Sequence, residues 1–128
     1  WARAFVRKWR EAPAPFKHAG KYYVITSGCT GWAPNAADLA VAKHPLGPWK
    51  MLGNPFRGNG AGRTFDSQST FVLPQPGKPP GHFIYMGDRW KSEALADSRY
   101  IWLPFKMTGS RAKIEWDDYD TFKGLGRR

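Results

Sequence analysis

Two side chains in this sequence stand where proton chemistry can be done. Glu11 opens the apolar run to Phe16, and Gln68 opens the run to Leu73. A carboxylic acid donates a proton near neutral pH only when its pKa is raised, and Trp9, Phe16 and Trp32 are the rings expected to desolvate Glu11. Arg10 would oppose this, but strand alternation sends adjacent side chains to opposite faces, so it is expected to turn away. Gln68 carries a neutral amide, a poor proton acceptor that would need an imidic-acid tautomer to act as a base and could otherwise orient water; a ligand-holding or structural amide is the alternative reading. Asp66, Asp88, Glu93 and Asp97 are the assisting acids. Asp88 leads them because Asp88-Arg89-Trp90 closes a strand, with a structural Asp88–Arg89 ion pair as the alternative. His18, His44 and His82 lack the spacing of a compact metal site. The single Cys29 excludes an internal disulfide and a multi-cysteine zinc site, and reads as a small buried side chain.

The elements that hold these residues show as an internal repeat at an offset of about sixty residues. In the first unit, Glu11–Phe16 leads through the turn at 17–20 to the strand Tyr22–Ser27, closed by Gly31-Trp32. In the second, Gln68–Leu73 leads through a Pro/Gly turn to His82–Met86, closed by Arg89-Trp90. Third strands follow at Asp38–Lys43 and Ser98–Leu103, and outer segments around Trp49–Met51 and Lys113–Trp116. The repeat puts Glu11 and Gln68 at the same place in successive units, facing one channel.

Four short antiparallel strands per unit, with Gly/Pro turns and recurring aromatics, are the pattern of β-propeller blades. A helix over 32–42 fails because it contains Pro34 and lacks sustained three-to-four apolar spacing. The fold class is therefore all-β, a partial β-propeller of about two four-stranded antiparallel blades plus one strand. A single domain over 1–128 is expected, with residues 1–8 the outer strand of a preceding blade, 9–60 the first blade and 61–128 the second. Blades leave apolar faces to cover, so a homo-oligomer that completes the ring is expected.

Composition narrows the function classes. With 128 residues, 41% apolar and 16% aromatic, the chain can bury one modest core. The net charge of +10 raises a nucleic-acid binder as a rival. The basic residues nevertheless cluster at the two ends (Arg3, Arg7, Lys8, Arg10; Lys123, Arg127, Arg128), and no nucleic-acid-binding motif is present, so no such partner is expected. No apolar run approaches the ~18 residues of a membrane span, so no membrane partner is expected. The N-terminus shows no export pattern, and the compartment stays open.

Arg10-Glu11-Ala12-Pro13, Gly20–Tyr23, Thr26–Asn35, Pro45–Trp49, Ser67–Thr70, Gly87–Trp90 and Ala96–Tyr100, taken in order, resemble glycoside hydrolase family 43 in its galactanase-like branch, at the C-terminal part of a five-bladed propeller. The resemblance covers nearly the whole chain. It implies that Glu11 is the general acid and that Gln68 stands in as base, with further acids lying upstream of Trp1. Inversion needs those two groups about 6.5 to 9.5 Å apart, on opposite faces of the sugar. The resemblance also implies that relatives are usually exported.

Sugar recognition favours aromatic platforms ringed by hydrogen-bonding groups, and Thr30, Trp32, Asn35, Asp88, Arg89 and Trp90 are the expected binding residues. The sequence requires no cofactor, and the resemblance leaves room for a calcium ion on the propeller axis, near His82 or the acids. The expected function is acid-assisted hydrolysis of galactan- or xylan/arabinan-type glycosides of plant polysaccharide. The alternative is a carbohydrate-binding propeller fragment without turnover.

Overall fold

The computed structural model describes residues 3–116. Nine strands follow one another: β1 Arg10–His18, β2 Lys21–Gly28, β3 Asp38–Ala42, β4 Lys50–Gly53, β5 Phe56–Arg57, β6 Gln68–Pro74, β7 His82–Arg89, β8 Arg99–Thr108 and β9 Arg111–Glu115. They build a four-stranded sheet in the order β1-β2-β3-β4 and a five-stranded sheet in the order β5-β9-β8-β7-β6. These are two blades of a partial propeller, and among the described residues they close no ring.

Turn chemistry sets the registers. Ala19 and Gly20, both at positive φ (46° and 73°), join His18 to Lys21. Two consecutive positive φ values define the hairpin turn whose twist matches that of the strands it connects. In the second blade β8 and β9 alternate, whereas β2 of the first is buried on both faces over Tyr23–Ser27. On β8, Ile101, Leu103, Phe105 and Met107 are buried, while Tyr100, Trp102 and Lys106 face outward.

The core lies between the two blades. Phe16 stacks on Tyr23 at 5.3 Å and meets Phe83 at 5.0 Å, and Phe83 stacks on Phe105 at 5.6 Å. One aromatic column thus runs from the first sheet into the second. Ile25, Leu39, Tyr85 and Ile114, each at most 2% exposed, belong to the same core.

Two sequence expectations differ from the structure. Residues 4–8 form turns rather than an outer strand, with Phe5 and Arg7 at φ 55° and 61°. Among the described residues no strand pairs with them, and Phe5 packs instead on Trp49 at 5.7 Å. The second sheet begins before residue 61. Phe56 and Arg57 pair in parallel with Ile114 and Glu115, because Phe56 (1% exposed) buries itself against Tyr85 at 4.9 Å. The ends of the expected units, 1–2 and 117–128, lie outside the described residues.

Candidate functional site

The inner strands β1 and β6 lie next to each other, and both are bulged, β1 between Glu11 and Ala14 and β6 between Ser69 and Phe71. A bulge re-aims the side chains beside it. Ala12 sits in the first bulge at φ 48°, and the Ser69 hydroxyl donates to its carbonyl at 2.6 Å, joining the two irregularities.

Glu11 and Gln68 meet here. The Gln68 amide nitrogen donates to Glu11 Oε1 at 3.0 Å and to Ser27 Oγ at 3.1 Å, while its oxygen accepts the Trp90 indole N–H at 3.0 Å. An indole nitrogen only donates, so it fixes which end of the amide faces it, and the amide must present its N–H groups to the carboxylate. Glu11 Oε1 is therefore the acceptor of this hydrogen bond. Trp90 in turn meets Trp32 edge to face at 5.8 Å, and both indoles are about half exposed. The cleft beside Gln68, between Trp32, Trp90 and Ser67, has a free volume of about 20 Å³. That enclosed part has room for about one water, so a larger ligand has to lie across its mouth, on the half-exposed indoles of Trp32 and Trp90.

The segment entering Gln68 is strained. Thr64, Phe65 and Asp66 are consecutive non-glycine residues at φ 52°, 54° and 59°. Each such conformation costs on the order of 1–3 kcal/mol and persists only where its surroundings hold it. Burial of Thr64 and Phe65, and the Asp66 carboxylate's pairing with Arg63 at 2.8 Å and Arg89 at 3.6 Å, supply that hold.

No protein-family model and no curated protein matches the sequence. Solved structures do. A family 43 β-1,3-galactosidase determined with galactodeoxynojirimycin superposes with a TM-score of 0.79 at 52% identity, over 85% of this chain and 31% of that one. The chain belongs to glycoside hydrolase family 43, in its galactanase-like branch. A second family 43 β-1,3-galactosidase superposes at 0.82 with 38% identity, over 88% of this chain and 24% of that one. The exo-β-1,3-galactanase of Phanerochaete chrysosporium, solved as a glutamate-to-alanine variant with β-1,3-galactotriose, superposes at 0.72 with 38% identity, over 83% and 23%. The chain spans less than a third of the length of each of these relatives.

Within this family 43 blade pair, the expected site residues divide. Gln68, Trp32 and Trp90 line the cleft, Glu11 reaches it through its contact with Gln68, and Asp88 stands opposite Gln68 in the ladder. Arg89 leaves it by strand alternation, toward Asp66 and the face of Trp116 at 5.7 Å rather than toward Asp88. Thr30 and Asn35 build the cleft wall. Asn35 accepts from the Gly28 N–H at 2.7 Å and donates to the Gly28 carbonyl at 2.9 Å and to Thr30 Oγ1 at 2.6 Å, so its amide is committed within the loop.

Other expectations need correction. The separation of about 6.5 to 9.5 Å expected for inversion is replaced by direct contact at 3.0 Å. Nor do Glu11 and Gln68 occupy one repeat position. Glu11 lies opposite Ser27 and Ser69 opposite Gly87, while Gln68 lies one residue earlier, opposite Asp88. The bulges, invisible in the sequence, account for this slip. Arg10 turns away as expected, to Thr26 Oγ1 at 2.9 Å and toward Asp38 at 3.9 Å. Trp9, 79% exposed, and Phe16, in the core column, do not wall Glu11. Only Trp32 of the three expected rings remains at the cleft.

Cys29 is exposed, because it follows the last residue of β2, where the chain leaves the sheet. It was missed as a site residue, although its thiol meets the Glu11 side chain where β1 and β2 pair. Desolvation, then the charge of Glu11 and its hydrogen bond, raise the thiol pKa above its ordinary value, and Arg10 opposes them. The nucleophilic thiolate is thereby disfavoured at neutral pH. Glu11→Gln should lower that pKa, so iodoacetamide should alkylate Cys29 faster at pH 8 in the variant than in the wild type. Equal rates would separate Cys29 from Glu11.

Proposed function

We propose that this chain binds a galactose-type sugar at the cleft between its blades, with the Trp32–Trp90 pair as the apolar platform and Glu11, Gln68 and Ser27 as its polar edge. The observation that carries this reading is the Glu11–Gln68–Trp90 chain of hydrogen bonds beside two half-exposed indoles. Sugar sites combine apolar rings with a few fixed polar groups. The family 43 relatives with galactodeoxynojirimycin and β-1,3-galactotriose favour galactosides over xylan- or arabinan-type glycans as the ligand.

In this arrangement the sugar is held rather than cleaved. The 3.0 Å contact between Glu11 and Gln68 fills the gap where inversion needs a sugar and a water. Hydrolysis is the second reading, favoured by the position of Glu11 in the Arg10-Glu11-Ala12-Pro13 motif. In that reading, protonated Glu11 gives its proton to the leaving oxygen as the glycosidic bond breaks, while Gln68, released from the carboxylate, orients the attacking water, whose surplus proton passes to solvent and restores Glu11. Calcium binding requires about six to eight oxygen ligands. Among the described residues no group of three His, Cys, Asp or Glu converges on one point, so a calcium ion on the axis would be held mainly by backbone carbonyls and water. His82 directs Nδ1 to the Pro79 carbonyl at 3.0 Å.

Galactose release from β-1,3-galactan separates the readings. Wild type and Glu11→Gln are both expected to bind without releasing galactose. Release by the wild type that disappears in Glu11→Gln would establish hydrolysis instead. Because the ligand is neutral, affinity should hardly change between 50 and 200 mM salt, whereas a nucleic-acid ligand would be lost steeply over that range. Self-association belongs to the same proposal. Phe71, Met86 and Trp102 are ladder partners on the outward face of the second blade, and Phe71 and Trp102 are about half exposed. Sedimentation should show a concentration-dependent oligomer that Phe71→Ser weakens, and a strictly monomeric wild type would contradict it.

A further inference from the structure

We infer that Thr64 is the positioning residue of the cleft, fixing Gln68 and the Trp32 loop relative to each other through a single buried hydroxyl. Its side chain lies between the two blades, and the residue is 2% exposed. The hydroxyl accepts the Ala37 N–H at 2.8 Å and donates to the Asn35 carbonyl at 2.7 Å. Both groups belong to the first blade's loop between β2 and β3. Asn35 grips Gly28 from both sides and Thr30 besides, so what Thr64 holds is the whole wall that carries Trp32.

On its other side Thr64 sets the entry to Gln68. Its carbonyl accepts the Ser67 N–H at 3.2 Å and the Ser67 hydroxyl at 2.6 Å, and Ser67 meets the Tyr85 hydroxyl at 3.1 Å. With its one proton given to Thr64, the Ser67 hydroxyl must accept from Tyr85. Gln68 follows directly, already anchored at its backbone. The left-handed run of Thr64, Phe65 and Asp66 forms this turn, and a run without glycine is kept only where contacts compensate. Two hydrogen bonds between one hydroxyl and loop backbone, one buried and one partly so, are such contacts. They make the strained conformation and the position of the opposite wall one event.

The proposal rests on reading the cleft as a sugar site, but its test does not need the sugar. The Trp90 indole N–H, bonded to Gln68 Oε1, gives a proton resonance that reports on Gln68 and is identified by its loss in Trp90→Phe. Thr64→Val removes the hydroxyl at nearly constant shape, and Thr64→Ser keeps it. Thr64→Gly also removes it, but relieves the positive φ, so that backbone relief offsets lost stability and the fold is retained.

In the Val and Gly variants the Trp90 signal should shift and exchange faster with solvent, and in Thr64→Ser it should match the wild type. Where β-1,3-galactotriose binds the wild type, affinity should fall at least about tenfold in Val and Gly and recover in Ser. An unchanged Trp90 signal in folded Val and Gly variants would overturn the proposal. So would a Ser variant that behaves like Val, or unfolding of the Gly variant, which would leave Thr64 a merely structural residue. A wild type that binds no galactotriose while its Trp90 signal still responds to Val and Gly would refute the sugar reading and leave the positioning role standing.

Discussion

Gln68→Glu should make the stability of this chain fall as pH rises from about 4 toward 7, a dependence that the amide at this position does not bring. The substitution puts a second carboxylate in place of the nitrogen that lies 3.0 Å from Glu11 Oε1. Two carboxylates at such a distance share one proton, so the upper apparent pKa of the pair moves above the ~4.3 of an unfolded glutamate. A folded pKa raised above its unfolded value means that the native state binds more protons. Stability is then fully retained below the unfolded pKa and lost as pH rises through the folded one. For a partly exposed pair the loss should be about 1–3 kcal/mol. Urea unfolding of both proteins at pH 4.5 and 7.5 measures it. Parallel pH profiles would mean that residues 11 and 68 are not in contact.

Phe83→Ala should cost about 3–5 kcal/mol, a large share of the roughly 5–15 kcal/mol that stabilises a small domain. Phe83 is 4% exposed and joins the blades, touching Phe16 of the first at 5.0 Å and stacking on Phe105 of the second at 5.6 Å. Its removal leaves a cavity between two sheets that cannot collapse without shifting β1 against β6. The cleft should then lose its ligand along with its fold. Thermal unfolding by circular dichroism checks this, and an unchanged midpoint would mean that the two blades are stabilised independently of their shared column.

The strands were legible because side-chain type and period speak directly about a two-sided sheet. Tyr22–Ser27 is rich in β-branched and aromatic residues, and the alternation on Arg99–Thr108 shows which side faces the core. The family showed in motifs whose residues cluster at inner-strand starts and loops. What stayed hidden depends on backbone irregularity. Bulges after Glu11 and Ser69 leave no sequence mark, so the repeat aligned Glu11 with Gln68 and suggested groups opposed across a gap, where the structure joins them directly.

The left-handed turn at Thr64–Asp66 was equally silent, since the residues that adopt it include no glycine to announce it. Cys29 looked like a core thiol because small apolar residues usually are buried. Only the end of β2 at Gly28 places it outside. Thr30 and Asn35 were legible as loop residues near the cleft. That their polar atoms would be consumed in building the loop depends on geometry that no motif records.

Titration of the wild type and of Trp90→Ala with β-1,3-galactotriose, followed by intrinsic tryptophan fluorescence, tests the central claim most directly. Trp32 and Trp90 are half exposed at the cleft, so occupancy should change the emission of the wild type saturably. Trp90→Ala removes both the platform and the donor that orients Gln68, and its affinity should fall at least about tenfold with the fold retained. A saturable wild-type signal that Trp90→Ala abolishes or weakens in this way is the result expected. No saturable signal in the wild type, or equal affinity in the two proteins, would contradict a sugar site between these blades.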